Sequence, residues 1–202
     1  MAYKNFTLTQ LKTDFNLQER QENLFSNILP ISCSAWLTET LAMGRDNAIK
    51  SEKARSEMII TPILLELKKQ HNDFFTIHSG DTLDGNKAVG LSGECDFILA
   101  KNTQSFSINF PIFTLIEAKR QDFELGINQC TAQMYGAWLY NQKHKHTLPC
   151  LYGCVTTADE WQFIKFENDT FLIDKEKYFI KELEVILGIF QQIIDFYKQI
   201  IS

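Results

Sequence analysis

Gly93-Glu94-Cys95-Asp96-Phe97-Ile98-Leu99 and Phe113-Thr114-Leu115-Ile116-Glu117-Ala118-Lys119 read as two apolar strands that carry charge at their edges. A charged group in such a segment is costly to bury without a partner, so Asp96, Glu117 and Lys119 are the first candidates for chemistry. Side chains alternate across a strand, which puts Glu117 and Lys119 on one face and Ala118 on the other. If the segments pair across the polar connection 101–109, Asp96 approaches Glu117. Two neighbouring carboxylates favour a hard divalent cation, and Lys119 sets an ammonium beside it.

Working outward, the spaced apolar residues Leu11, Phe15, Leu24, Phe25 and Ile28 predict an amphipathic helix over 8–28, ending before Pro30. A second helix is expected over 34–43, stopped by Gly44. Ser51 is a good N-cap for a helix to about Gln70, with Pro62 either kinking it or restarting it at a first position. Strands are expected over 74–78, 91–100 and 111–119, with the polar, turn-rich stretch 79–86 as a loop between the first two. The helix 125–142 carries a core stripe of Ile127, Cys130, Met134, Ala137 and Trp138 beside a stripe containing Gln129 and Gln133. Strands over 151–157, 161–166 and 170–173 follow. Apolar residues nearly encircle a closing helix 179–201, so it should be covered by the sheet, by the N-terminal helices or by a second subunit in a homodimer.

Asp96 followed after twenty-one residues by Glu117-Ala118-Lys119, in this setting of strand, strand and helix, resembles the PD-(D/E)XK nuclease superfamily. The resemblance covers roughly 51–157 and is similar in feel to the nuclease domain of type I restriction subunits. Cys95 stands where that family commonly has Pro before the Asp. The resemblance implies an α/β, restriction-endonuclease-like core, α-β-β-β-α-β with a mixed central sheet flanked by helices. Here that core, 51–157, would lie within a single domain, 1–202, between a helical N-terminal extension, 1–48, and further strands with a C-terminal helix, 158–202.

The resemblance also implies an activity and its residues. The expected reaction is Mg2+- or Mn2+-dependent hydrolysis of DNA phosphodiester bonds, in restriction, defence or repair. Asp96, Glu117 and the Ala118 carbonyl would be metal ligands, and Lys119 would orient or activate water. A further acid is expected on the first core helix. Glu52 and Glu57 both qualify, but five helical positions turn about 500° and leave them about 140° apart. Glu52 is preferred. Gln129 and Gln133 are matched to substrate-binding positions, where an amide can hydrogen-bond phosphate or a base edge. The alternative reading keeps the fold as a catalytically inactive module binding nucleic acid or protein, with Glu117 and Lys119 a structural ion pair.

Composition sets outer limits. The chain of 202 residues is 45% hydrophobic and 12% aromatic, enough for one core and too apolar for disorder. Five cysteines, without a C-x-x-C pair, read as reduced core residues of a cytoplasmic protein. A membrane partner is not expected, because no uninterrupted apolar stretch reaches spanning length. A net charge of −5 gives little general attraction to phosphate, so nucleic-acid contacts would be local. Lys68, Lys69, Lys119, Arg120, Lys143 and Lys145 are the candidates.

Overall fold

The computed structural model describes residues 2–72, 74–102, 107–108 and 110–201. Residues 103–106 and 109 of the polar connection lie outside the described residues. The chain order is α1 (Leu8–Phe15), β1 (Gln18–Glu22), α2 (Ala35–Arg45), α3 (Glu52–Arg55), a π-helical turn (Ser56–Ile60) and α4 (Thr61–Gln70). Then come β2 (Phe75–Asn86), β3 (Leu91–Lys101), β4 (Ile112–Ala118), α5 (Phe123–Lys143) and β5 (Leu151–Thr156). β6 (Glu160–Glu167), β7 (Thr170–Asp174), β8 (Tyr178–Phe179) and α6 (Leu183–Ile200) complete it. The architecture is α/β: one mixed eight-stranded sheet, ordered β1-β7-β6-β5-β4-β3-β2 with β8 also on β6, flanked by helices.

β2, β3 and β4 form an antiparallel meander, and β5 returns parallel to β4 after the α5 crossover. β4 is buried at all seven positions, as expected of a central strand covered on both faces. α5 lies on one face, where a Cβ on Gly153 of β5 would strike Met134 and Cys130. α6 lies on the other: Phe190 packs on Trp161 and Phe163, and Tyr197 on Phe113.

Several expectations change. The helix over 8–28 is only α1, because Asn16 turns left-handed at φ 55°. The five polar residues that follow form the exposed edge strand β1, parallel to β7. The N-terminal region therefore adds a strand to the sheet as well as helices. The stretch expected as a loop over 79–86 is the far half of β2, paired to β3 as far as Asn86–Leu91. Its polar residues flank a fully buried Leu83, the pattern of a half-covered strand, and the turn sits later, at Gly90 with φ 86°.

From Glu52 to Gln70 the backbone stays helical, with the π turn absorbing Pro62 near the start of α4. Proline cannot supply an amide proton, and the Thr61 N–H reaches back five residues to the Ser56 carbonyl. The closing helix begins at Leu183, later than expected, because Tyr178–Phe179 pairs with β6 first. All five cysteines are free, and all but Cys33 are buried.

Candidate active site

The β3–β4 register builds the site. Phe97 pairs with Ile116 and Ile98 with Leu115, so the same register continued sets Asp96 opposite Glu117. Directly opposed antiparallel residues share a face, here the face under α5. The strands separate at that step. Asp96 Oδ2 accepts the Ala118 N–H at 2.7 Å, and the Lys119 N–H turns the other way, to the Thr156 carbonyl on β5, at 2.8 Å. The antiparallel strands β3 and β4, parting beyond Phe97–Ile116 around the Asp96 carboxylate, leave a hollow between them.

Glu117 is 0% exposed and held from two sides. Lys119 Nζ donates to its Oε1 at 2.5 Å, and Gln133 Nε2 donates to its Oε2 at 2.7 Å. The Asp96 and Glu117 carboxyl groups are also close enough to share a hydrogen bond. Burial, then the Asp96 charge, pushes the Glu117 carboxyl up to about 8, against the pull of Lys119 and Gln133. Burial likewise raises Asp96, opposed by the Ala118 N–H and Lys119. For Lys119, burial acts downward, but Glu117, Asp96 and Glu52 outweigh it and raise the ammonium above its ordinary value. Lys119 therefore carries charge, and two adjacent carboxyls retain a proton between them at neutral pH.

Asp96, Glu117, Lys119, Glu52 and Gln129 all line one cavity of about 330 Å³. Glu52 reaches it from the first turn of α3, where Ser51 caps the helix, and its Oε1 accepts the Arg120 N–H at 3.2 Å. Glu57 does not line it. That residue is exposed and pairs with Lys53 at 3.7 Å. Gln133 is buried beneath the floor as a holder of Glu117, its Oε1 without a partner, so it is not at the surface where a substrate would lie.

α5 starts against the site. Asp122 caps it, and a Cβ on Gly126 would lie 3.0 Å from Lys119 Cγ. The helix rises about 1.5 Å per residue, so Lys143 is about 26 Å away at its far end and Lys145 farther still. Lys68 donates to the Phe75 carbonyl at the far end of α4. Of the expected cations, Lys119 lines the cavity and Arg120 an adjoining hollow, where they are joined by Lys4 in the cavity and by Lys50 and Lys53 in the hollow. Sequence reasoning missed Ala2, Tyr3 and Lys4 at the cavity wall, and Arg55. Its Nη1 donates to the Thr157 carbonyl and to Asp159 at 2.8 Å, which ties α3 to the β5–β6 turn. Tyr3 as the chain's third residue, ahead of a Thr-led helix, offered no pattern to find it by.

The donors are all oxygen, the set preferred by Mg2+. In an extended residue the N–H and C=O point to the same edge, so Ala118, bonded to Asp96 through its N–H, directs its carbonyl there too. No group of three His, Cys, Asp or Glu side chains suited to a metal exists among the described residues, so water would supply the remaining ligands. Mg2+ commonly keeps several. Among the described residues no helix is long and apolar enough to cross a membrane. Comparison with protein-family models, with curated proteins and with solved structures found no match, so the reading of this site rests on its own geometry.

Proposed function

We propose that the protein is a metal-dependent nuclease that hydrolyses DNA phosphodiester bonds on a restriction-endonuclease-like core, with a role in defence or repair. The observation that carries this reading is the meeting of Asp96, Glu117 and Lys119 on the floor of one cavity, with Asp96 raised by burial and Glu117 raised by burial and by the Asp96 charge. Holding two carboxyls together in a buried position is unfavourable, and a cation relieves it. The order of helix, three-stranded meander, helix and parallel strand from Glu52 to Thr156 supports the core assignment.

Asp96, Glu117 and the Ala118 carbonyl would hold Mg2+ or Mn2+, which when bound stabilises negative charge on the phosphate and lowers the pKa of water. Gln133 and the Ala118 N–H keep the two carboxyls aimed at that position. Lys119, charged, holds a water or a non-bridging phosphate oxygen by its ammonium and does not act as a neutral base. Glu52 stands at the opening, on the side from which a second ion or a water would approach.

The 2.5 Å pair of Lys119 with Glu117 favours the second reading, a non-catalytic binding module whose triad is structural. Incubating the full chain with plasmid and with single-stranded DNA in Mg2+ and in Mn2+, with EDTA controls, separates the two. Metal-dependent cleavage is expected. Absence of cleavage across all substrates favours the binding module.

A further inference from the structure

The turn Tyr3–Asn5 enters the site from a region that the sequence resemblance leaves outside the core. Tyr3 is 1% exposed. Its ring occupies a notch kept open by two glycines on different elements: a Cβ on Gly136 of α5 would lie 2.8 Å from ring atoms Cε1 and Cζ, and one on Gly93 of β3 would lie 3.3 Å from Cδ2. So anchored, the turn sets Ala2, Tyr3 and Lys4 along the wall of the cavity whose floor holds Glu117 and Lys119, which are 0% and 8% exposed. The volume of about 330 Å³ is near the small end of ligand pockets, roughly 300–1,000 Å³.

We propose that this site takes an unpaired nucleic-acid strand, and that the Tyr3–Asn5 turn is the wall that keeps a duplex out. The inference rests on the nuclease reading and names its substrate class. A phosphate within a stacked duplex is held at the rim by its paired neighbours. To bring it to a recessed floor, its nucleotide must leave the stack, at a cost in free energy that an unpaired strand does not bear.

The surroundings suit a flexible strand. The cavity shares Glu52 with a hollow of about 580 Å³ lined by Lys50, Lys53 and Arg120, while Lys4 lines the cavity itself. In a chain of net charge −5, these are the cations placed to neutralise phosphates on either side of the reacting one.

The test uses the full chain with Mn2+ and with Mg2+ on labelled single-stranded DNA, single-stranded RNA and duplex DNA of one length. One or both unpaired strands should be cleaved at least about tenfold faster than duplex. Tyr3→Ala, which removes the anchor, and Gly136→Ala, which fills the notch, should narrow that ratio by raising duplex cleavage. Duplex cleaved as fast as single strand by the parent overturns this inference and leaves the nuclease reading intact. A ratio unchanged in both variants, folded by circular dichroism, overturns the role of the wall. If both variants unfold, the parent ratio decides. No cleavage of any strand overturns the nuclease reading, and this inference with it.

Discussion

Glu117 has its two oxygens bonded to different partners, Lys119 and Gln133, and this division sets what each substitution should do. If Asp96 and Glu117 are ligands, Asp96→Ala and Glu117→Ala each weaken Mn2+ binding and abolish cleavage, since an underligated ion is lost. Lys119→Ala should leave Mn2+ binding equal or tighter, because a competing positive charge is gone, while turnover falls by about 10²-fold or more. Calorimetric titration beside a nuclease assay measures both, and three variants binding Mn2+ like the parent would sink the metal site.

The same titration carries a pH test. With the Glu117 carboxyl at about 8, metal must displace a proton, so affinity should rise about tenfold per pH unit from pH 6 towards 8 and then level. Stability of the metal-free protein runs the other way. A carboxyl raised in the folded state contributes stability in full below its ordinary value of 4.5, and loses it as pH climbs through about 8. The thermal midpoint should therefore fall from pH 5 to pH 9, and Mn2+ should restore it most at the alkaline end.

Between elements, the site depends on how α5 is held over β4. Its N-terminal end touches Lys119, and near its C-terminal end Asn141 completes the strand it covers, with Nδ2 donating to the Ile112 carbonyl at 2.7 Å and Oδ1 accepting the Ile112 N–H at 2.8 Å. The sheet register shifts beside Ile112, so these backbone groups depend on a side chain. Asn141→Ala strands two buried groups and should cost about 2–5 kcal/mol in urea unfolding, and Asn141→Asp, which sets a buried carboxylate oxygen against the Ile112 carbonyl, should cost at least as much. Equal stability of the Ala variant and the parent would show that the two bonds contribute nothing. Glu66 works in the same way. It is buried on α4 and accepts from Ser34 N and Oγ at the start of α2 and from Gln70, so its charge is engaged in joining helices, away from the cavity.

Across the whole molecule, the apolar closing helix is covered by its own chain. Nine of its residues are buried, and Gly188 packs against Leu29 and Ile28 of the irregular segment after β1. The cover comes from the sheet and from the segment after β1 rather than from an N-terminal helix. We expect light scattering to give a monomer and amide exchange to be slow through Ile186–Ile194. Gly188→Ala, whose Cβ would meet the Leu29 carbonyl, should destabilise by about 1–3 kcal/mol and speed exchange in α6. A dimer with unaltered exchange in the variant would mean that a second subunit provides the cover.

Read alone, the sequence determined the alternation of the two central strands, the shared face of Glu117 and Lys119, the helix that follows and the apolar character of the last helix. Each of these depends on residues close in sequence, through strand alternation and helical period. It did not determine that 18–22 and 79–86 are strands, because polar residues on an edge or half-covered strand look like loop until a partner strand supplies their hydrogen bonds. Nor did it separate Gln129 from Gln133, four positions apart on one helix face, where only the depth of Glu117 decides which amide is buried beneath it. Tyr3 was illegible for the same reason. Its place is made by two glycines about 90 and 130 residues away, and contacts of that range are created by tertiary packing, which no local pattern records.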